Sequence, residues 1–283
     1  MVNMSAKSAL YVVATPIGNL RDISLRALDV LATVDMVAAE HIQTSRHLLA
    51  TLLINTKVIA LHQHNEVAGA EKIVALLAAE KNVALVTDAG TPGISDPGAI
   101  LVAHVRAQGY PVIPIPGANA AVCALSVAGI TNPHFMFYGF LPNKTVGRKR
   151  ELVALKAQLC TLIFYEAPHR IIDCVADMVE VFGAKRQLVI ARELTKLFET
   201  VHVCDLGDAL AWLEGDNNQQ KGEFVLLLSG AQEENTESFS DEIMHILKSL
   251  LDELPLKQAV KLAVEITGVN KNKLYKKALE LKK

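Results

Sequence analysis

Short apolar runs alternate with longer amphipathic stretches through the first 130 residues of the chain. Runs near 10–14, 35–39, 57–60, 82–87 and 111–115 are dominated by Val, Ile, Leu and Ala. Unbroken apolar runs of this length are what strands buried on both faces of a parallel sheet require. Helical stretches lie between them. One starts at Ser24, a good N-cap residue, and places Leu25, Leu28 and Leu31 on one face. The alternation predicts an α/β fold with a mostly parallel sheet and helices on both faces.

A second alternating block runs from about His134 to Ser229, with strands near 134–139, 160–165, 187–191, 198–204 and 223–228. A punctuated, basic connector, 139–150, lies near its start. The texture changes after Gly230, where the polar stretch 231–240 has a linker composition. Three helices are then predicted, at 241–253, 256–266 and 270–282. Ile243, Ile246, Leu247, Leu250 and Leu254 stripe the first, and Thr267-Gly268-Val269-Asn270 breaks the chain before the last. The spacing is that of a small helix-turn-helix unit. The expected domains are therefore 1–132, 133–230 and 241–283, with a ligand cleft between the first two.

Loops carry the functional signal. Residues 87–98, Thr87-Asp88-Ala89-Gly90-Thr91-Pro92-Gly93-Ile94-Ser95-Asp96-Pro97-Gly98, follow the run at 83–86. Three glycines, two prolines and two aspartates in twelve residues exclude a helix or a strand interior. Open α/β sheets bind ligands at the carboxyl ends of their strands, which is where this loop falls. An ordinary βα connection needs only two to six residues, about half this length, so the ligand-binding reading is preferred. The first run ends in a similar device, Thr15-Pro16-Ile17-Gly18-Asn19-Leu20, and the fifth in Pro116-Gly117-Ala118-Asn119-Ala120. Neither has the three spaced glycines of a dinucleotide fingerprint, and no Gly-Lys-Ser/Thr of a P-loop occurs.

Half of the residues are apolar and a fifth charged, the composition of a sizeable core rather than of a disordered chain. No apolar run is long enough to span a bilayer. The first seven residues read as a short loose tail without the apolar centre of a signal peptide. Cys123, Cys160, Cys174 and Cys204 are scattered, as buried thiols of a reducing cytoplasm would be. Net charge is only −2, so a nucleic-acid partner must be met by a local patch. One such patch is available, because residues 255–283 carry eight lysines against Glu265 and Glu280. A solvated helix face explains them as readily as phosphate contacts do.

The three loops together resemble those of the tetrapyrrole-methylase superfamily of S-adenosylmethionine-dependent enzymes. Tyr138-Gly139-Phe140-Leu141-Pro142, Phe164-Tyr165-Glu166-Ala167-Pro168-His169-Arg170, Ala191-Arg192-Glu193-Leu194-Thr195-Lys196 and Lys221-Gly222-Glu223 are similar to one branch. That branch comprises the 16S ribosomal RNA (cytidine-2'-O-)-methyltransferases. The resemblance implies two α/β domains with S-adenosyl-L-methionine in the cleft between them. It implies cofactor contacts from Thr15, Pro16, Gly18, Asp88, Gly90, Ile94, Ser95, Pro116, Gly117, Tyr165 and Ala191. Its implied acceptor is a cytidine 2'-oxygen in the decoding region of 16S rRNA within the 30S subunit, and it implies a homodimer in the cytoplasm with neither membrane nor metal. Two departures stand out. Glu40 is followed by His41-Ile42-Gln43 where relatives carry Asp-Thr-Arg, and Ala118-Asn119 replaces other small residues after Pro116-Gly117. Gln cannot replace the forked charge of Arg. Methylation of a small cyclic tetrapyrrole or corrinoid, or cofactor binding with reduced turnover, remain the alternatives.

Methyl transfer to a hydroxyl needs alignment, exclusion of water and a group to take the proton. Glu40, His62, His64, Glu166 and Lys196 are the candidates for that group. His62-Gln63-His64 without a nearby Cys is a weak metal pair, and a structural role serves it equally well. Asp88 and Asp96 are also natural turn-formers beside Gly and Pro. Pro168 starts a helix, so Glu166, His169 and Arg170 serve either acid–base work or helix capping.

Overall fold

The computed structural model describes residues 8–62, 66–231 and 239–281. The chain forms two compact units, one up to Gly230 and one from Ala231 onward. The first unit holds two five-stranded sheets. β1 (Leu10–Val13), β2 (Met36–Ala39), β3 (Val58–Ala60), β4 (Val83–Val86) and β5 (Val112–Ile115) make the first, in the order β3-β2-β4-β1-β5. All its pairings are parallel.

Strand alternation sends Val13, Val37, Ala39, Ala84 and Val86 to one face. There α1 (Leu25–Thr33) and α2 (Ile42–Thr51) cover them with Ala27, Val30, Leu31 and Leu49. Leu10, Ala38, Val83 and Leu85 face the other way, under α3 (Glu66–Ala78) and α4 (Ala99–Ala107). Burial on both faces is why these strands read as unbroken apolar runs. Ser24 caps α1 as expected, its Oγ accepting from the Ala27 amide at 3.1 Å.

The second sheet contains β6 (Phe135–Phe140), β7 (Thr161–Glu166), β8 (Gln187–Arg192), β9 (Thr200–Asp205) and β10 (Phe224–Leu228), in the order β6-β7-β10-β8-β9. Only β6 and β7 run parallel; β10 is antiparallel to both β7 and β8, and β8 to β9. One face carries α6 (Thr145–Leu155), α7 (Ile171–Phe182) and α8 (Ala209–Gly215) over Leu162, Phe164, Leu188, Ile190 and Leu226. The opposite face, with Ile163, Val189, Ala191, Val225 and Leu227, takes α5 (Ala120–Val127) through Ala121 and Ala124. By position α5 belongs to the segment before residue 132, yet it packs against the second sheet. Its Ala-rich face allows that close approach.

The second unit consists of α9 (Asp241–Glu253), α10 (Leu256–Thr267) and α11 (Lys271–Leu281) around Leu247, Ala259, Val260, Ala263, Leu274 and Ala278. Gly268 ends α10 in the left-handed region, at φ 69°. The last helix begins one residue later than its pattern suggests, because Asn270 caps it by accepting from the Asn272 amide. Residues 232–238, within the expected linker, lie outside the described residues. Among the described residues, no helix is long and apolar enough to cross a membrane.

Candidate active site

A cavity of about 430 Å³ lies between the carboxyl ends of the first sheet's strands and the second sheet. Glu40 at the end of β2 and Asp88, Gly90, Ile94, Ser95 and Asp96 after β4 line one side. Tyr165 and Glu166 at the end of β7, Ala191 on β8 and Val225 on β10 line the other, with Glu193, Lys196 and Glu223.

The 87–98 loop is tied down at several points. Thr15 and Gly90 exchange backbone hydrogen bonds of 2.9 and 3.1 Å, and the Thr15 hydroxyl donates to the Thr87 carbonyl at 3.1 Å. Gly90 has φ 85°, which only glycine adopts without strain. The Thr91 hydroxyl donates to the Ala118 carbonyl, joining this loop to the one after β5. Glu66 closes the far end. Its buried Oε1 accepts from the amides of Gly98, Ile100 and Leu101 at 2.9, 2.9 and 3.2 Å. The N-cap of α4 is Gly98, which has no side chain of its own to cap with, so a carboxylate on α3 takes that place.

Not every residue expected at the cofactor or as a proton acceptor lines the cavity. Glu40, Asp88, Gly90, Ile94, Ser95, Tyr165, Glu166, Ala191 and Lys196 do. Thr15 and Pro16 are buried behind the loop, and Pro116 and Gly117 are exposed beyond it. A Cβ on Gly117 would meet the Ala14 side chain at 2.9 Å, and one on Gly18 would meet Lys196 Cγ at 2.5 Å. Both glycines thus let neighbouring segments pack closely on each other. His62 lies outside the cavity lining, and its companion His64 falls outside the described residues. Among the described residues, no group of three or more His, Cys, Asp and Glu could hold a metal ion.

Among the described residues, six carboxylates line the cavity against one cation, Lys196. Three of them pair with Arg170 or Lys196. Glu166, its side chain fully buried, accepts from the Ala167 amide at 2.8 Å and pairs with Arg170 Nε at 3.0 Å. Glu193 and Glu223 share Lys196, each 2.8 Å from Nζ. Burial alone would lower the Lys196 pKa, but hydrogen bonds and charge from Glu193 and Glu223 outweigh it and raise it. Burial likewise pushes the Glu193 carboxyl up, yet the Lys196 hydrogen bond and the Glu223 amide leave it below its ordinary value. Lys196 is thus engaged by two carboxylates, and Glu166 by Arg170 through Oε1, while its Oε2 is buried without a hydrogen-bond partner.

Glu40, Asp88 and Asp96 make an acidic wall opposite. Burial raises the Asp96 pKa, the Thr87 hydroxyl opposes it, and the charges of Glu40 and Asp88 add to it. Asp88 Oδ1 is buried without a partner, which leaves an acceptor for a donor on a ligand. Such a wall beside apolar Ile17, Ile94, Phe140 and Leu194 suits a small ligand that carries positive charge and hydroxyl or amine donors. The facing loop is strained, with Glu193 at φ 52° and Thr195 at φ 66°. Non-glycine residues held there cost about 1–3 kcal/mol each, and they cluster at ligand sites. The Glu193 amide donates to the Glu223 carbonyl, and the Thr195 amide to Glu199 Oε2, holding both.

Sequence reasoning missed Glu66 and the closing role of Tyr165, whose hydroxyl accepts from the Ala121 amide at 3.1 Å and so caps α5. A glycine at the start of α4 was the one available hint of the first. Asn119 explains its own departure, because its side chain accepts from the Val122 amide and also caps α5.

The fold and this cavity define the class. Residues 9–210 match the model of the Tetrapyrrole (Corrin/Porphyrin) Methylases, and the chain belongs to that family. Residues 237–282 match a model described as the RsmI C-terminal HTH domain. The chain is 49% identical over 278 residues to Ribosomal RNA small subunit methyltransferase I of Escherichia coli O157:H7, covering 98% of this chain and 96% of that one. It is 50% identical to the protein of the same name from Pseudomonas aeruginosa, covering 98% of each. Solved structures share the fold at low identity. Uroporphyrin-III-C-methyltransferase from Thermus thermophilus has a TM-score of 0.56 at 21% identity, over 78% of this chain and 94% of that one. The methyltransferase CobJ has a TM-score of 0.59 at 18% identity, over 79% and 95%.

Proposed function

We propose that this chain is an S-adenosylmethionine-dependent methyltransferase of small-subunit ribosomal RNA, acting on the ribose 2'-oxygen of a cytidine in the decoding region. The observation that carries the reading is near-full-length similarity to proteins named for that RNA, together with a cavity whose acidic wall suits a sulfonium with a ribose and an amino group. In this reading Asp88, Gly90, Ile94, Ser95, Tyr165 and Ala191 hold the methyl donor. Thr15, Pro16, Gly18, Pro116 and Gly117 support the loops that shape its site. The donor supplies an activated methyl group; the protein aligns the acceptor oxygen and excludes water.

Residues 1–132 and 133–230 then act as two domains closing one cleft, and 241–283 as an RNA-binding module. A homodimer working in the cytoplasm on the 30S subunit completes the reading. The test is transfer of tritiated methyl from the donor to 30S subunits, with a porphyrinoid as the competing acceptor. Label in 16S rRNA at a 2'-O-methylcytidine supports the reading. Label in the porphyrinoid alone, or in neither, overturns it.

A further inference from the structure

His41 is absorbed by none of the roles above. It stands at the N-cap of α2 but makes no side-chain capping bond. Its imidazole turns instead toward the loop after β4, where Nδ1 lies 2.8 Å from Asp88 Oδ2. The His41 side chain is 65% exposed and that of Asp88 36%, so the pair stands at the edge of a cavity that Asp88 lines. A carboxylate on Nδ1 fixes the orientation and the tautomer of the ring: Nδ1 donates, and Nε2 presents its lone pair. Glu40, on the preceding residue, and Asp96, across the same loop, are the other acids of this wall. Lys196 and Glu166 are both engaged in ion pairs on the far side.

We propose that His41, oriented by Asp88, is the general base that takes the proton from the acceptor hydroxyl. The proposal rests on the methyltransferase reading above. His41 Nε2 takes the hydroxyl proton as the acceptor oxygen bonds to the methyl carbon. The carbon–sulfur bond breaks, its electron pair stays on sulfur, and a neutral thioether leaves. Asp88 balances the imidazolium until it returns the proton to water. The open position of His41 suits a macromolecular acceptor, which must reach the base from outside the cavity. A base at this point contributes about 10²–10⁴-fold to turnover.

The test uses the full chain, 30S subunits and a tritiated donor, with His41→Ala and His41→Asn. His41 is exposed and uncapping, so both variants keep the fold. The expected result is a fall in turnover of about 10²–10⁴-fold, donor affinity by calorimetry unchanged, and partial rescue of His41→Ala by free imidazole. Independently of activity, ¹⁵N NMR of the parental ring should show a protonated Nδ1 and an unprotonated Nε2, with that preference lost in Asp88→Asn. Parental turnover retained in His41→Ala, a loss that imidazole does not rescue, or a ring protonated on Nε2 would each overturn the assignment of the base alone. Absence of transfer by the parental protein would instead overturn the substrate reading, and the base with it.

Discussion

Glu66 offers the sharpest test of how the 87–98 loop is held. The buried carboxylate takes three amides at the start of α4, from Gly98, Ile100 and Leu101. In Glu66→Ala those donors lose their acceptor. Each buried unpaired group costs about 1–3 kcal/mol, but water can enter the space vacated and the carboxylate's own desolvation disappears. The net loss should therefore be about 2–4 kcal/mol, somewhat above an ordinary N-cap deletion. For a unit of this size that lowers the melting midpoint by roughly 5–15 °C. Glu66→Gln keeps an acceptor and loses only the charge at the helix N-terminus, about 0.5–2 kcal/mol. Urea unfolding followed by circular dichroism measures both, and calorimetry with the methyl donor reads the loop. A Glu66→Ala midpoint equal to that of the parent, with donor affinity intact, would refute the claim that this carboxylate anchors the site.

Gly117→Val should lower stability through the clash with Ala14 at the end of β1, and donor affinity only in consequence; a loss of affinity with an unchanged melting midpoint would show instead that Gly117 meets the ligand. Asp96 has a pKa raised above its ordinary 3.8, so the native state holds more protons than the unfolded one in that window. Stability contributed by this group therefore falls as pH rises from 3.8 through the higher folded value, and Asp96→Asn should flatten that fall in urea midpoints measured across it. Deleting residues 240–283 should weaken binding to 30S subunits and leave donor affinity unchanged. It should also reduce the dependence of log affinity on log salt by about 0.7–0.9 for every phosphate that the lysines no longer neutralise. Parental binding and salt dependence in that truncation would reduce the lysines of α10 and α11 to solvated surface.

The sequence alone determined the elements. The strands of both sheets fall within a residue or two of their expected positions, because most, buried on both faces, leave a continuous apolar record, while the edge strand β9 alternates partly buried and exposed residues. Ser24 and the helices of the last unit were legible for the same kind of local reason, as caps and stripes lie within a few residues of what they act on. The loops after β1, β4 and β5 declared themselves by glycine and proline.

What the tertiary structure decided were the relations between distant residues. No local pattern says that α5 packs on the second sheet, nor that the second sheet is mostly antiparallel. Lys196 lies three residues from Glu193, but Glu223, its second carboxylate partner, comes 27 residues later. Glu66 caps a helix that begins more than thirty residues further on, and His41 meets Asp88 across 47 positions. Charge, hydrogen bonding and burial act over a few ångströms of space. A residue's chemistry can be read from its type, but its role here was set by the side chains that folding brought against it.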